Sequence, residues 1–316
     1  MKHNIKITIV LLIMFLVTQF IGLYVVDQYT PKIVNGENVT PKLPYGMTPP
    51  GKISPGSFLG SFIVAFVFAV LLVLLLSKIR AELVIKIWFF IVVVLALGIV
   101  FNTLIPGLTE KFFYGITYSE FFSVIIALPL AFFKIFKRNI IIHNLTELFV
   151  YPGIAAIFVP LLSQWSAKTS IIVTISILVL ISLYDMYAVW HAGFMQKMAK
   201  YQIEELKIFA GFFIPYIGKK QRAQIKGMSL KQLKKKRVKV NLAILGGGDV
   251  VFPIIASGVI LKFFGFIPAL FVIIGAALGL SYLFFFAEKG KFYPAMPFIT
   301  AGILAGMFLG WLIKFI

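Results

Sequence analysis

The sequence predicts an all-α protein that crosses a membrane nine times. Three observations carry that prediction. Of 316 residues, 60% are apolar and 13% are charged, and the mean hydropathy is +1.00; soluble domains carry about 25% charged residues. The apolar residues gather into nine runs near the ~20 residues that a helix needs to cross the hydrocarbon core. The basic residues concentrate on one side of those runs. Composition also removes function classes. With no cysteine, disulfides, thiolate metal sites and cysteine nucleophiles are excluded. His3, His143 and His191 are too scattered for a histidine-built metal site, so no metal or other cofactor is expected. A net charge of +19 on a soluble chain would point to nucleic acid. On a chain this apolar it reports topology instead, and nucleic acid is not an expected partner.

The runs fall at roughly 5–26, 57–77, 83–105, 116–133, 144–163, 169–192, 241–261, 266–286 and 296–316. The first has a basic start, Lys2 and Lys6, as a secretory signal would. Its apolar stretch is about 20 residues long and no small-residue cleavage site follows Val26, so a retained anchor is expected. The loop 27–56 is rich in Pro and Gly and holds Asn38-Val39-Thr40, a glycosylation sequon. Several later separators are so short that neighbouring spans must form antiparallel hairpins. The loop 193–240 is the main break. It divides a six-helix block, 1–192, from a three-helix block, 241–316. Within it, the apolar patch from Ile208 to Ile217 is interrupted by Pro215 and is too short to span, so an interfacial or re-entrant piece is expected. The run Lys231 to Lys239 reads as a stop signal against anionic lipid. No internal repeat is visible, which weighs against an inverted-repeat transporter.

Orientation follows from the basic residues. With the N-terminus inside, 23 of the 30 lysines and arginines fall on the inner side and 7 on the outer. Such an excess marks the cytoplasmic face. The N-terminus is therefore expected in the cytoplasm and the C-terminus outside, in a multi-pass protein of the cell membrane.

Most of the 11 acidic residues lie in loops or at span edges. Glu120 and Glu147, near predicted interfaces, read as polar anchors or helix-end partners. Asp185 in the sixth run and Asp249 in the seventh lie well inside apolar helices, where a carboxylate costs several kcal/mol. Asp185 is eight residues before Gly193 and Asp249 eight residues after Asn241. At about 1.5 Å per residue both sit about 12 Å below the same surface, on consecutive antiparallel helices. Two close carboxylates share one proton. One can activate water while the other polarises a carbonyl, which is aspartic-protease chemistry. A carboxylate-gated ion channel or proton-coupled transporter could use the same pair.

The surrounding residues narrow this. Gly246, Gly247 and Gly248 precede Asp249, weaken a helix and let another backbone approach. Pro253 removes a further helical bond. Tyr184 precedes Asp185, and its hydroxyl suits a buried polar network. Pro294 and Pro297 keep the start of the ninth run out of ordinary helix and leave carbonyls unpaired.

Tyr184-Asp185, Gly246-Gly247-Gly248-Asp249 and Pro294-Ala295-Met296 resemble, in order and on the expected helices, the three motifs of the presenilin/signal peptide peptidase family of intramembrane aspartyl proteases. The departure is Met296, where that family usually has Leu. The resemblance implies catalytic Asp185 and Asp249. It also implies substrate contacts from Tyr184, Gly246, Gly248, Pro294, Ala295 and Met296. The implied partner is a transmembrane helix of a substrate protein within the lipid bilayer, and a homo-oligomer is compatible with it. A prepilin peptidase shares a Gly-x-Gly-Asp motif but commonly has Lys two residues after the Asp, where this chain has Val251.

Overall fold

The computed structural model describes residues 5–190 apart from a few loop positions, together with 210–216, 241–287 and 293–313. Most of the 193–240 loop, including Lys231–Lys239, lies outside the described residues, as does Thr40 of the sequon. Among the described residues, nine helices are long and apolar enough to cross a membrane. They are α1 (Ile5–Gln28), α2 (Pro55–Lys78), α3 (Glu82–Leu104), α4 (Tyr118–Ile135), α5 (Ile140–Leu162), α6 (Ala167–Trp190), α7 (Gly247–Phe264), α8 (Phe266–Phe286) and α9 (Met296–Ile313). Six short strands accompany them: β1 (Lys32–Val34), β2 (Glu37–Val39), β3 (Lys111–Phe113), β4 (Ile116–Thr117), β5 (Gly211–Tyr216) and β6 (Asn241–Gly246). They pair as three antiparallel hairpins.

Polar residues fix several helix ends. Asn139 Oδ1 accepts from the Ile141 and Ile142 N–H groups and starts α5. Thr117 and Glu120 form a capping box at α4, the helix-end role expected of Glu120. Glu120 Oε1 also accepts from the Tyr45 N–H at 2.7 Å, which ties the loop after β2 to α4. Nearby, the Tyr29 hydroxyl donates to the Ile99 carbonyl at 2.9 Å. Burial pushes its pKa up to about 12, so it remains a donor at ordinary pH.

The core lies where α1, α5, α7, α8 and α9 meet, around Phe15, Tyr151, Ile254, Ile273, Leu280 and Ile299. A second cluster joins α3, α4 and α5 through Leu97, Ala131 and Val150. The helix α2 is peripheral, and none of its described side chains is buried. Lipid offers little hydrophobic drive between helices, so close backbone approach matters more than in water. It is most evident between α8 and α9: a Cβ on Gly275 would strike the Gly302 carbonyl, and one on Gly302 the Gly275 carbonyl.

One expected span is divided differently. Residues 241–246 are not the start of a helix; they form β6, and α7 begins only at Gly247. Its partner β5 comes from the apolar patch expected to be interfacial or re-entrant. The register runs from Gly211 opposite Gly246 to Tyr216 opposite Asn241. A short apolar run does not by itself distinguish strand from helix, and the glycines after it resist helix extension backward. Non-helical backbone at membrane depth persists only where protein covers it. Here α5 covers the outer edge of β5. Asn144 donates to the Phe213 carbonyl at 2.7 Å and accepts from the Phe213 N–H at 2.9 Å. Pro215, which lacks an N–H, falls on that same outward-facing set and leaves the ladder to β6 intact.

The glycine contacts between α8 and α9 generate a test. Gly302→Val should lower stability by about 1–3 kcal/mol, measured as a reduced thermal midpoint in detergent. Gly60→Val, at a position with nothing near its would-be Cβ, should leave the midpoint unchanged.

Candidate functional site

Asp185 lies on α6, five residues before its last residue, Trp190, and is 8% exposed. Its Oδ2 accepts from the Met296 backbone N–H at 3.0 Å, and the Ala295 backbone N–H also faces it. These donors are free for a simple reason. The first N–H groups of a helix have no intrahelical acceptor, and α9 starts at Met296. The expectation of unpaired carbonyls at this edge is not met for Ala295, whose carbonyl accepts from the Ile299 N–H at 3.1 Å. What the segment offers Asp185 is amide N–H. Pro297 is an ordinary helix-start proline. One turn before Asp185, the Ser182 and Thr300 hydroxyls bond at 2.8 Å and hold α6 against α9.

Asp249 is the third residue of α7, not a residue eight positions into a helix. The common-depth argument therefore does not transfer, because residues of β6 rise about 3.3 Å each rather than 1.5 Å. The juxtaposition nevertheless holds: α6 packs on α7, and Asp249 lies within reach of the Asp185 charge. The Asp249 carboxylate folds back toward the N-cap residue Gly246, whose N–H it faces. A Cβ on Gly246 would lie 3.0 Å from Oδ2. That is half of a capping box. Each aspartate thus meets a helix N-terminus, Asp249 that of α7 and Asp185 that of α9, where exposed N–H groups and the macrodipole favour negative charge.

The other predicted residues divide. Gly248 is exposed and open, with only the Phe252 ring near its would-be Cβ. Gly247 is a packing glycine: a Cβ there would come within 2.8 Å of the Tyr151 ring and hydroxyl. Pro294 and Met296 are buried and Ala295 is half-buried beside Asp185. Tyr184 packs edge-on against Phe66 of α2 at a centroid distance of 4.9 Å. Among the described residues, no group of His, Asp and Glu is placed to hold a metal.

Sequence reading missed a polar cluster on the far side of the β5–β6 hairpin. Glu147, expected at an interface, is 1% exposed in the second turn of α5. It pairs with Lys134 of α4 at 2.7 Å. Lys134, one of the 23 basic residues assigned above to the inner side, is a buried residue of α4. His143 and Asn144 complete the cluster. The spacing of His143, Glu147 and Tyr151, four apart on one face, was the available signal.

A model of the family described as signal-peptide peptidase, presenilin aspartyl protease matches residues 49–316. The chain belongs to that family. It is an integral, multi-pass membrane hydrolase, which sets aside the transporter and prepilin-peptidase readings. Two solved structures share its fold. Both are of a presenilin family intramembrane aspartate protease, in C222 and P2 space groups. The first is 18% identical with a TM-score of 0.57, covering 97% of this chain and 99% of that one. The second is 19% identical with a TM-score of 0.56, covering 96% of each. No curated protein matches the sequence.

If Met296 serves through its backbone, Met296→Leu should leave proteolysis within about threefold. Met296→Pro is sterically tolerated at the first helical position but deletes the N–H that faces Asp185. It should lower kcat at least about tenfold, measured on a reconstituted single-span reporter.

Proposed function

We propose that Asp185 and Asp249 are the catalytic pair of this intramembrane aspartyl protease, which hydrolyses peptide bonds within transmembrane segments. The observation that carries the reading is that two carboxylates, each at a helix N-terminus, lie within electrostatic reach of each other where α6 packs on α7. The pair shares one proton. The ionised member takes a proton from water as its oxygen attacks the scissile carbonyl, and the protonated member hydrogen-bonds the carbonyl oxygen. Collapse of the tetrahedral species breaks the C–N bond, and the proton taken from water passes to the leaving nitrogen. With no cysteine in the sequence, no thiol takes part.

The substrate bond must first be freed from its own helix. In lipid those hydrogen bonds are released only to replacement partners. The register supplies them. The Gly211 and Phe213 backbone groups face α5, so by alternation Leu242 and Ile244 of β6 aim theirs at the opposite edge, while Gly246 gives its N–H to Asp249 and caps α7. An extended substrate strand added there would run beside Gly246 and the open Gly248. At Pro294–Met296, where the resemblance also implies substrate contacts, the Met296 N–H is engaged by Asp185 and the Ala295 carbonyl by the Ile299 N–H.

The excess of basic residues supports a cytoplasmic N-terminus, even with Lys134 removed from the inner loops. Nine spans then put the C-terminus outside. Substrates on this reading have an external N-terminus and are cut nearer their cytoplasmic end.

Asp185→Asn and Asp249→Asn should each reduce cleavage by at least about 10²–10⁴-fold. The assay uses purified protein in liposomes with a single-span reporter and products read by mass. Full activity in either variant would overturn the assignment.

A further inference from the structure

The polar face of α5 takes no part in the chemistry above, yet it holds the catalytic hairpin. Glu147 Oε1 gathers the Lys134 Nζ at 2.7 Å, the Gly211 N–H at 3.4 Å and His143 Nε2 at 3.5 Å. His143 Nε2 lies closer, at 2.8 Å, to the Gly211 carbonyl, so its N–H donates there. Both backbone groups of Gly211 are thus held by α5. The decisive contact is one atom away. The Ala210 carbonyl, in the same peptide unit as the Gly211 N–H, accepts from the Gly247 N–H at 3.1 Å. A single peptide unit therefore bridges Glu147 to the first residue of α7, two residues before Asp249. On the other side, the Tyr151 ring closes against Gly247.

We propose that Glu147 is the positioning residue for Asp249, acting as an acceptor that fixes the Ala210–Gly211 peptide unit and through it the start of α7. Lys134 is the counter-charge that makes a buried carboxylate tolerable at that point. A buried ion pair is a poor way to join α4 to α5, because an apolar pair of similar volume often serves as well or better. An apolar pair cannot accept an N–H. The Gly211 donor would otherwise be buried without a partner, and the hairpin would be free to shift against α5. A displacement of about 1 Å at a reacting group costs on the order of a hundredfold in rate.

This proposal rests on Asp249 being catalytic, and the test separates the two. Two charge-neutral double variants of the full chain are compared in liposomes with the same reporter. Lys134→Met with Glu147→Gln keeps an acceptor oxygen. Lys134→Met with Glu147→Leu removes it at similar volume. Neither leaves an unpaired buried charge, which avoids the folding failure expected of Glu147→Ala alone. The Leu variant should show a kcat at least about tenfold below that of the Gln variant. Their KM values should agree within about twofold and their thermal midpoints should be similar. Equal kcat values, or a difference confined to KM, would overturn the positioning role while leaving the assignment of Asp249 intact. Cleavage by Asp249→Asn, run alongside, would overturn that assignment and the proposal with it.

Discussion

Everything at this site depends on one constraint: in a bilayer, a backbone or carboxylate polar group must find its partner within the protein. A helix interior uses up all its own N–H and carbonyl groups and has nothing left for a carboxylate. A helix start has N–H groups to spare. The structure meets the constraint by bringing both aspartates to such starts. Asp249 uses the N-terminus of α7, on which it sits. Asp185 is on the last turns of α6 and cannot use its own helix, so it uses that of α9. The two start points are provided by different devices. At α9 the chain enters from the Pro294-Ala295 bend. At α7 it enters from a strand that ends at Gly246, the first of three glycines.

The same constraint explains what was legible in the sequence and what was not. Spans were legible because hydropathy and length are properties of single segments. Asp185 and Asp249 stood out because each is a costly residue in an apolar run. Glu120 was readable as a helix-end residue from its place near the start of the fourth run. What could not be read was anything whose meaning lies in a partner far along the chain. Residues 241–246 are apolar enough to begin a helix. They are a strand because Gly211–Tyr216 pairs with them and because Asn144, His143 and Glu147 cover the outer side of that pair. Glu147 and Lys134 looked like edge charges because the one-dimensional reading placed each near an interface. Only the packing of α4 on α5 makes them a buried pair.

The glycines before Asp249 show how one short motif divides its labour. Gly246 has an extended backbone, with φ −65° and ψ 146°, and lets the Asp249 carboxylate fold back over it. Gly247 has no room for a side chain against Tyr151. Gly248 is open. A side chain is excluded at Gly247 by Tyr151 and is tight at Gly246 against the Asp249 carboxylate, whereas the open space at Gly248 serves, on the proposed reading, substrate approach. Treating the three as a single helix-weakening run captured their effect on α7 but not that division.

A two-stranded sheet has two edges, and a substrate strand could in principle add to either. On the proposed reading only addition to β6 leads to chemistry, because β6 continues into Gly247 and Asp249 within three residues. Addition to β5 would hold a substrate beside α5, out of reach of the carboxylates. The side chains of α5 remove that choice. Asn144 saturates Phe213, and His143 and Glu147 saturate Gly211, so β5 has no donors or acceptors left to offer along that stretch. Covering an edge is a common defence against unwanted strand pairing. Here the covered edge also makes the pairing directional, and the groups that cover it are the ones that fix the hairpin against α5. On the proposed reading, the placement of Asp249 depends on those few bonds. A shift of the hairpin would on that reading misalign Asp249 against Asp185, which is a physical reason for spending a buried carboxylate and a buried lysine behind the covered edge.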